Sequence, residues 1–249
     1  MTNRCRILLP FLLFLWLSSS DAFAQIHPHF GVEVGVPLTD TLSSTSFSSS
    51  SSLSMSADRY NSDTKRFLVG PVFRVDLVRG LGLEFDALYQ RVDYDHFTLT
   101  SSSSFVSQSF EQTKGDRWQF PLLVQYSFPF ARTRPFVEAG PAISRITNVS
   151  GQISAKTIAP GTPPSISSST YPNTGSSGTQ AGFTAGGGID FPFGRFHLRP
   201  EIRYSHWFAA AGPTTVGVLV STGFIVGSAI PSTFRAKQNE ASFLLGLSF

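Results

Sequence analysis

The chain has 249 residues, 14% of them charged, a formal net charge of +3 and a single cysteine. So even a charge balance gives no electrostatic case for a nucleic-acid partner. One cysteine supplies neither a disulfide framework nor a thiolate metal site.

The first element is an address. Arg4 and Arg6 precede the apolar run Ile7–Leu17, and Ala22-Phe23-Ala24 then offers a small-residue cleavage site. Residues 1–24 therefore read as a secretory signal peptide. The run is short of the roughly 20 residues that a membrane helix needs. Cys5 leaves with the peptide, and residues 25–249 are expected to form one domain.

Period-2 alternation of apolar with polar or small residues marks eight strands, at about 29–38, 66–78, 81–96, 117–128, 135–146, 180–191, 195–208 and 239–249. Between them, short turns (Val78-Arg79-Gly80, Pro129–Arg134, Pro192–Gly194) alternate with long Ser/Thr/Gly/Pro-rich segments (Asp40–Thr64, Thr98–Gly115, Asn148–Gly178, Ala209–Lys237). Loops of that length count against a compact soluble domain. A closed meander accommodates them, with every short turn at one end and every long loop at the other. That asymmetry belongs to barrels of the outer membrane. The expected fold is all-β: an eight-stranded antiparallel up-and-down transmembrane β-barrel with short periplasmic turns and four long extracellular loops. The serine-rich loops are expected to be mobile, and the oddly apolar Val216–Ile230 to extend a hairpin or touch the membrane.

Parity assigns the faces. Phe30, Val32, Val34, Val36 and Leu38 share one side of the first strand; Trp118, Phe120, Leu122, Val124, Tyr126 and Phe128 share one side of the fourth. An eight-stranded lumen is just wide enough for side chains, so eight strands of such residues would overfill it. The large apolar set is therefore expected to face lipid. Arg91 and Arg145 break that set near strand ends, where a charge costs only about 0–1 kcal/mol. The other parity turns Glu33, Arg74, Asp76, Glu84, Asp86, Glu138, Asp190, Arg199, Glu201 and Arg203 into the lumen, with Gln90 and Gln125. Such charges are expected to pair into a plug, the alternative being a narrow solute or ion path. Pro71, Pro141 and Pro200 each delete a ladder donor, so bulges or local irregularity are expected there.

Trp118-Gln119-Phe120-Pro121-Leu122-Leu123-Val124-Gln125-Tyr126, Gly186-Gly187-Gly188-Ile189-Asp190-Phe191, Leu198-Arg199-Pro200-Glu201-Ile202-Arg203-Tyr204 and terminal Phe249 together resemble the small bacterial outer-membrane barrels, the "porin family" or OmpA/OmpX-like domains. The resemblance implies a bacterial outer-membrane address, lipid and lipopolysaccharide as surroundings, and a structural, adhesive or surface-interaction role. It also implies that Phe243, Leu245, Leu247 and Phe249 are read by the outer-membrane assembly machinery. Nothing follows Phe249, so the peptidoglycan-binding domain of full OmpA proteins is not expected. An extracellular ligand would meet the loops.

Enzyme chemistry finds little support. Outer-membrane lipid A deacylases resemble this architecture and use a His-x-Ser arrangement, but His206 is followed by Trp207 and Phe208. His27-Pro28-His29 falls short of a zinc site and reads as a flexible arm. Gly186–Gly188 lacks a phosphate-loop context and is expected to make room for neighbouring Arg or Glu side chains. No catalytic residue, cofactor or metal site is assigned.

Overall fold

A computed structural model describes residues 27–62, 66–77, 79–129, 133–172, 178–208, 211–217, 230–235 and 237–249. The expected signal peptide, residues 1–24, lies outside them, as do residues 218–229 of the apolar loop. The described residues form strands and no helix: β1 His27–Pro37, β2 Thr45–Ser50, β3 Ser54–Ser62, β4 Leu68–Asp76, β5 Leu81–Asp86, β6 Leu88–Ser102, β7 Val106–Ser127, β8 Arg134–Ile158, β9 Ser165–Pro172, β10 Thr179–Phe193, β11 Phe196–Trp207, β12 Ala211–Gly217, β13 Ile230–Arg235 and β14 Asn239–Ser248.

Eight walls close on themselves in the order β1, β4, β5 with β6, β7, β8, β10, β11, β14 and back to β1, every pair antiparallel. At the seam Val32 faces Leu247 and Val34 faces Leu245, while Phe30 and Phe249 exchange backbone hydrogen bonds of 3.2 and 3.0 Å. No edge remains within the ring, as a wall surrounded by hydrocarbon requires. The large apolar residues point outwards, Phe30 at 54% and Ile202 at 59% exposure. In water so much apolar surface would drive association; in lipid it is solvated. Phe67, Tyr89 and Trp118 form an aromatic run across three walls, with ring centroids 6.3 and 5.3 Å apart. His27-Pro28-His29 is not an arm: it opens β1 and pairs with Asp76, Val75 and Arg74 of β4.

The short turns fall at one end. Arg79 and Gly80 both have positive φ, 61° and 82°, the combination that matches strand twist in the tightest hairpins. A Cβ at Gly80 would come within 2.4 Å of the Ser127 carbonyl oxygen.

Each proline interrupts one ladder without shifting its register. Pro71 stands opposite Ala87, where β5 ends and β6 begins, yet Val72 faces Asp86 and Val69 faces Tyr89 in unbroken sequence. Likewise the β7–β8 ladder lapses beside Pro141, and the β10–β11 ladder beside Pro200. One missing N–H removes a bridge but adds no residue, so the expected irregularity stops short of a bulge. Among the described residues a bulge sits elsewhere in the wall, on β8, where Asn148 and Val149 stand against Gly115 between the pairs Lys114–Ser150 and Asp116–Thr147. There Asn148 takes the left-handed φ of 51° and donates to Asp116 Oδ2 at 2.9 Å.

The serine-rich segments depart from expectation. They are largely strand: β2 pairs with β3, β3 with β6, β6 with β7 out to Ser101–Val106, and β8 with β9. Beyond the ring these six strands form one open sheet, a fin whose edge strands are β2 and β9. Composition misled because a ladder is held by backbone bonds, which serine supplies as well as any residue, while serine–threonine pairs add to it. Ser49 with Ser56 (3.1 Å) and Ser107 with Thr157 (3.2 Å) are examples. On either side of the apolar loop, β12 and β13 pair as a hairpin.

Candidate functional site: a layered lumen

From the short-turn end upwards, the inward residues stack in layers. At the mouth Arg74 lies 3.3 Å from Asp76 and 3.8 Å from Asp190. His197 Nδ1 contacts Asp190 at 2.9 Å, and His29 Nε2 contacts Asp76 at 3.4 Å. Asp76 is the least enclosed of the inward charges, its side chain 35% exposed.

The next layer is centred on Arg203, fully enclosed by four walls. Its Nε donates to Glu138 Oε1 at 2.8 Å and lies 2.6 Å from Glu201 Oε1. Its Nη2 donates to Glu84 Oε1 at 2.6 Å and to Glu33 Oε1 at 3.3 Å, and Nη1 donates to Asp86. Arg199 donates to Glu84 and, at 2.9 Å, to Gln125, with its guanidinium carbon 4.1 Å above the Phe136 ring. β1, β5, β8 and β11 thus meet through side chains at the centre of the lumen. Gly186 makes this approach feasible: a Cβ there would sit 2.9 Å from Arg203 Cγ and 3.2 Å from Glu138 Oε1.

Above the charges the lumen turns apolar. Leu68, Leu88 and Leu244 pack together across it, all buried. Over them lies a second polar layer: Arg117 donates to Glu240 (2.9 Å), Ser144 (2.8 Å) and Thr41 (3.3 Å) and stacks 5.2 Å from the Trp207 ring. Gln90 accepts from Thr41 at 3.3 Å. Thr41 and Leu42 belong to the stretch after β1, which folds inwards over the bore; Leu42 packs on Tyr94, beside Val92, Ile146 and Val149. At the base of the fin His96 lies 3.4 Å from Glu111 and 3.3 Å from Asp58, with Tyr60 stacked on it at 4.1 Å. Burial, with Asp58 and Glu111 nearby, raises the Tyr60 phenol above its ordinary range.

Glu33, Arg74, Glu84, Asp86, Glu138, Asp190, Arg199, Glu201 and Arg203 therefore come together in two adjoining layers. Arg117 and Glu240 belong to the same column and were not singled out by sequence. One further step of the parity that carries Gln119 and Ser242 would have reached both. Phe243, Leu245, Leu247 and Phe249 lie on the outer face of the seam, apart from all of this. His206 is also outside, its Nδ1 2.8 Å from Asn239 Oδ1, to which Tyr204 donates at 2.7 Å.

Residues 23–208 match the model of a family described as "Outer membrane protein beta-barrel domain". Among solved structures the chain is similar to Neisserial surface protein A at 10% identity and a TM-score of 0.34, covering 90% of this chain and 96% of that one. No curated protein matches in sequence.

Proposed function

This chain belongs to the outer membrane protein beta-barrel domain family, and from that premise we propose that it is a sealed, non-catalytic barrel of the bacterial outer membrane whose fin makes surface contacts. The observation that carries the seal is the Leu68–Leu88–Leu244 cluster set between two charged layers. An ion entering from either mouth meets paired charges and then a dry apolar constriction, where desolvation without a partner is costly. The orientation that fits places the short turns in the periplasm and the fin outside, ringed by lipid and lipopolysaccharide. Exposed structure on a rigid scaffold is where binding residues collect. Planar-bilayer recording on the refolded protein tests the seal: silence is expected, and steady single-channel steps would overturn it in favour of a narrow pore. For the fin, cells carrying the protein without the β2–β3 hairpin should lose attachment to whatever surface the intact protein binds; undiminished attachment would move the contact elsewhere.

The lipid A-modifying alternative rests on His206, which stands on the lipid side, tied to Asn239. Lipid A incubated with the barrel is expected to leave mass spectrometry unchanged; a lost acyl chain would reinstate the enzyme. The exposed row Phe243, Leu245, Leu247 and Phe249 fits recognition by the assembly machinery. Deleting Phe249 should slow insertion into the outer membrane, and a normal insertion rate would refute that role.

A further inference from the structure

Five carboxylates, Glu33, Glu84, Asp86, Glu138 and Glu201, surround only two guanidiniums, Arg199 and Arg203, and none of the seven residues is more than 4% exposed. When all are ionised the layer carries more negative than positive charge. Its neighbours relieve that excess only in part. Arg74 is engaged by Asp76 and Asp190, and Arg117 stands beyond the leucines, paired with Glu240. An excess of like charge in an enclosed space is neutralised either by protons on the carboxyls or by a cation bound among them.

The arginines also leave oxygens over. Glu33 Oε2 and Glu201 Oε2 are fully buried, and neither accepts a hydrogen bond among the described residues. Glu33, Glu84 and Glu201, from β1, β5 and β11, each bring a carboxylate oxygen into a group whose members lie within 4.8 Å of one another. Oxygens bound to one Ca2+ at about 2.3–2.6 Å can be no farther apart than about 5 Å. Gly246 of β14 stands between the strands of Glu33 and Arg199 and leaves a methyl-sized space, since a Cβ there would lie 3.5 Å from Glu33 Oε1 and from Arg199 Cβ. Glu33 also lines a narrow cleft with Gly246, His29, Ser248 and the guanidinium residues Arg74 and Arg199, towards the short-turn mouth.

We propose that Glu33, Glu84 and Glu201 form a site for a single hard divalent cation of the Ca2+ class, which offsets the negative excess and ties β1, β5 and β11 together. An all-oxygen, all-carboxylate set selects Ca2+ or Mg2+ over zinc or copper. Irregular spacing around an arginine favours Ca2+, which tolerates variable geometry and completes its shell with water, over Mg2+, which demands an octahedron. Glu33 and Glu201 are the principal ligands. Glu84, already held by Arg199 and Arg203, is the shared one. The site rests on the sealed-lumen reading, since an open aqueous bore would exchange its counter-ions freely.

The test uses full-length barrel refolded in lipopolysaccharide-free detergent and stripped with EDTA. Calorimetric titration with CaCl2 is expected to show a single Ca2+ bound per barrel. The temperature at which heat-modifiable gel mobility is lost should rise with Ca2+ and fall again with EDTA. Glu201→Gln and Glu33→Gln should each weaken Ca2+ binding about tenfold or more, whereas Asp76→Asn at the mouth should leave it unchanged. Where a glutamine variant fails to refold, the wild-type titration decides alone. No binding at millimolar Ca2+ overturns the proposal. So does equal affinity in Glu201→Gln, or loss of binding in Asp76→Asn, which would place the ion elsewhere. Bilayer recording on the same preparation separates the two readings: a silent barrel that binds no Ca2+ refutes the cation site, while a conducting barrel that binds it refutes the seal.

Discussion

The ring inside the membrane and the fin above it are built from the same continuous strands, yet they are held together by different forces. Strand β7 shows the change within one element. At Gln125 and Arg117 its inward residues join charged networks that connect opposite walls; at Ser107 and Gln108 it merely pairs with its neighbours. In the ring, stability is concentrated in a few shared side chains, so single substitutions should be felt across several walls. In the fin it is spread over backbone bonds and small polar pairs, so single substitutions should be local. Backbone closure is common to both, but only the ring adds a core.

The sharpest way to break this contrast is Arg203→Met. It strands Glu33, Asp86 and Glu201 around an apolar chain and leaves Glu84 and Glu138 to Arg199 alone, and losing one partner of a buried ionic network costs about 3–5 kcal/mol. Urea unfolding followed by gel mobility should show a large drop in midpoint; an unchanged midpoint would mean that the network is not a keystone. Leu244→Ala comes next. It opens a hole in the leucine layer, worth about 2–5 kcal/mol, and it should introduce small cation-selective currents where the parent is silent. A destabilised but still silent variant would locate the seal in another layer. Asn148→Val tests the joint between the regions. A β-branched residue at φ 51° costs about 1–2 kcal/mol, with the loss read as faster proteolysis of the fin while the ring keeps its mobility shift. If Asn148→Val were neutral, the bulge would not be needed to aim β8. Smallest of all, Ser49→Ala in the fin removes one exposed hydroxyl pair and should change stability by less than about 0.5 kcal/mol. A larger effect would show that the fin has a cooperative core of its own.

What could be read in the sequence divides along the same line. The ring was legible because lipid on one side and a narrow lumen on the other enforce alternation, and Phe30 to Leu38 or Phe196 to Tyr204 display it without interruption. The charged lumen residues followed from the same parity. The leucine layer did not: Leu68, Leu88 and Leu244 are apolar residues on the polar side, and one-dimensional alternation cannot show that three strands bring them to the same height. The fin was missed because Ser43–Ser56 offers neither apolar period nor turn punctuation, while its partner β6 lies far along the chain. Arg117 and Glu240 fell within the expected strands 117–128 and 239–249 and on their inward parity, but lie at the strand starts, where the lumen set was not extended.

The fin has a consequence of distance. β8 runs for 25 residues, whereas about 9–11 suffice to cross the hydrocarbon. At about 3.3 Å per residue the remainder lifts the tips near Ser104 and Thr162 some tens of ångströms above the bilayer. In the proposed orientation, whatever approaches the cell meets these tips before it can reach the ring. An epitope or fluorophore inserted beside Ser104 should stay accessible on intact cells even where the barrel wall is crowded by its neighbours, which makes the protein a natural mast for display.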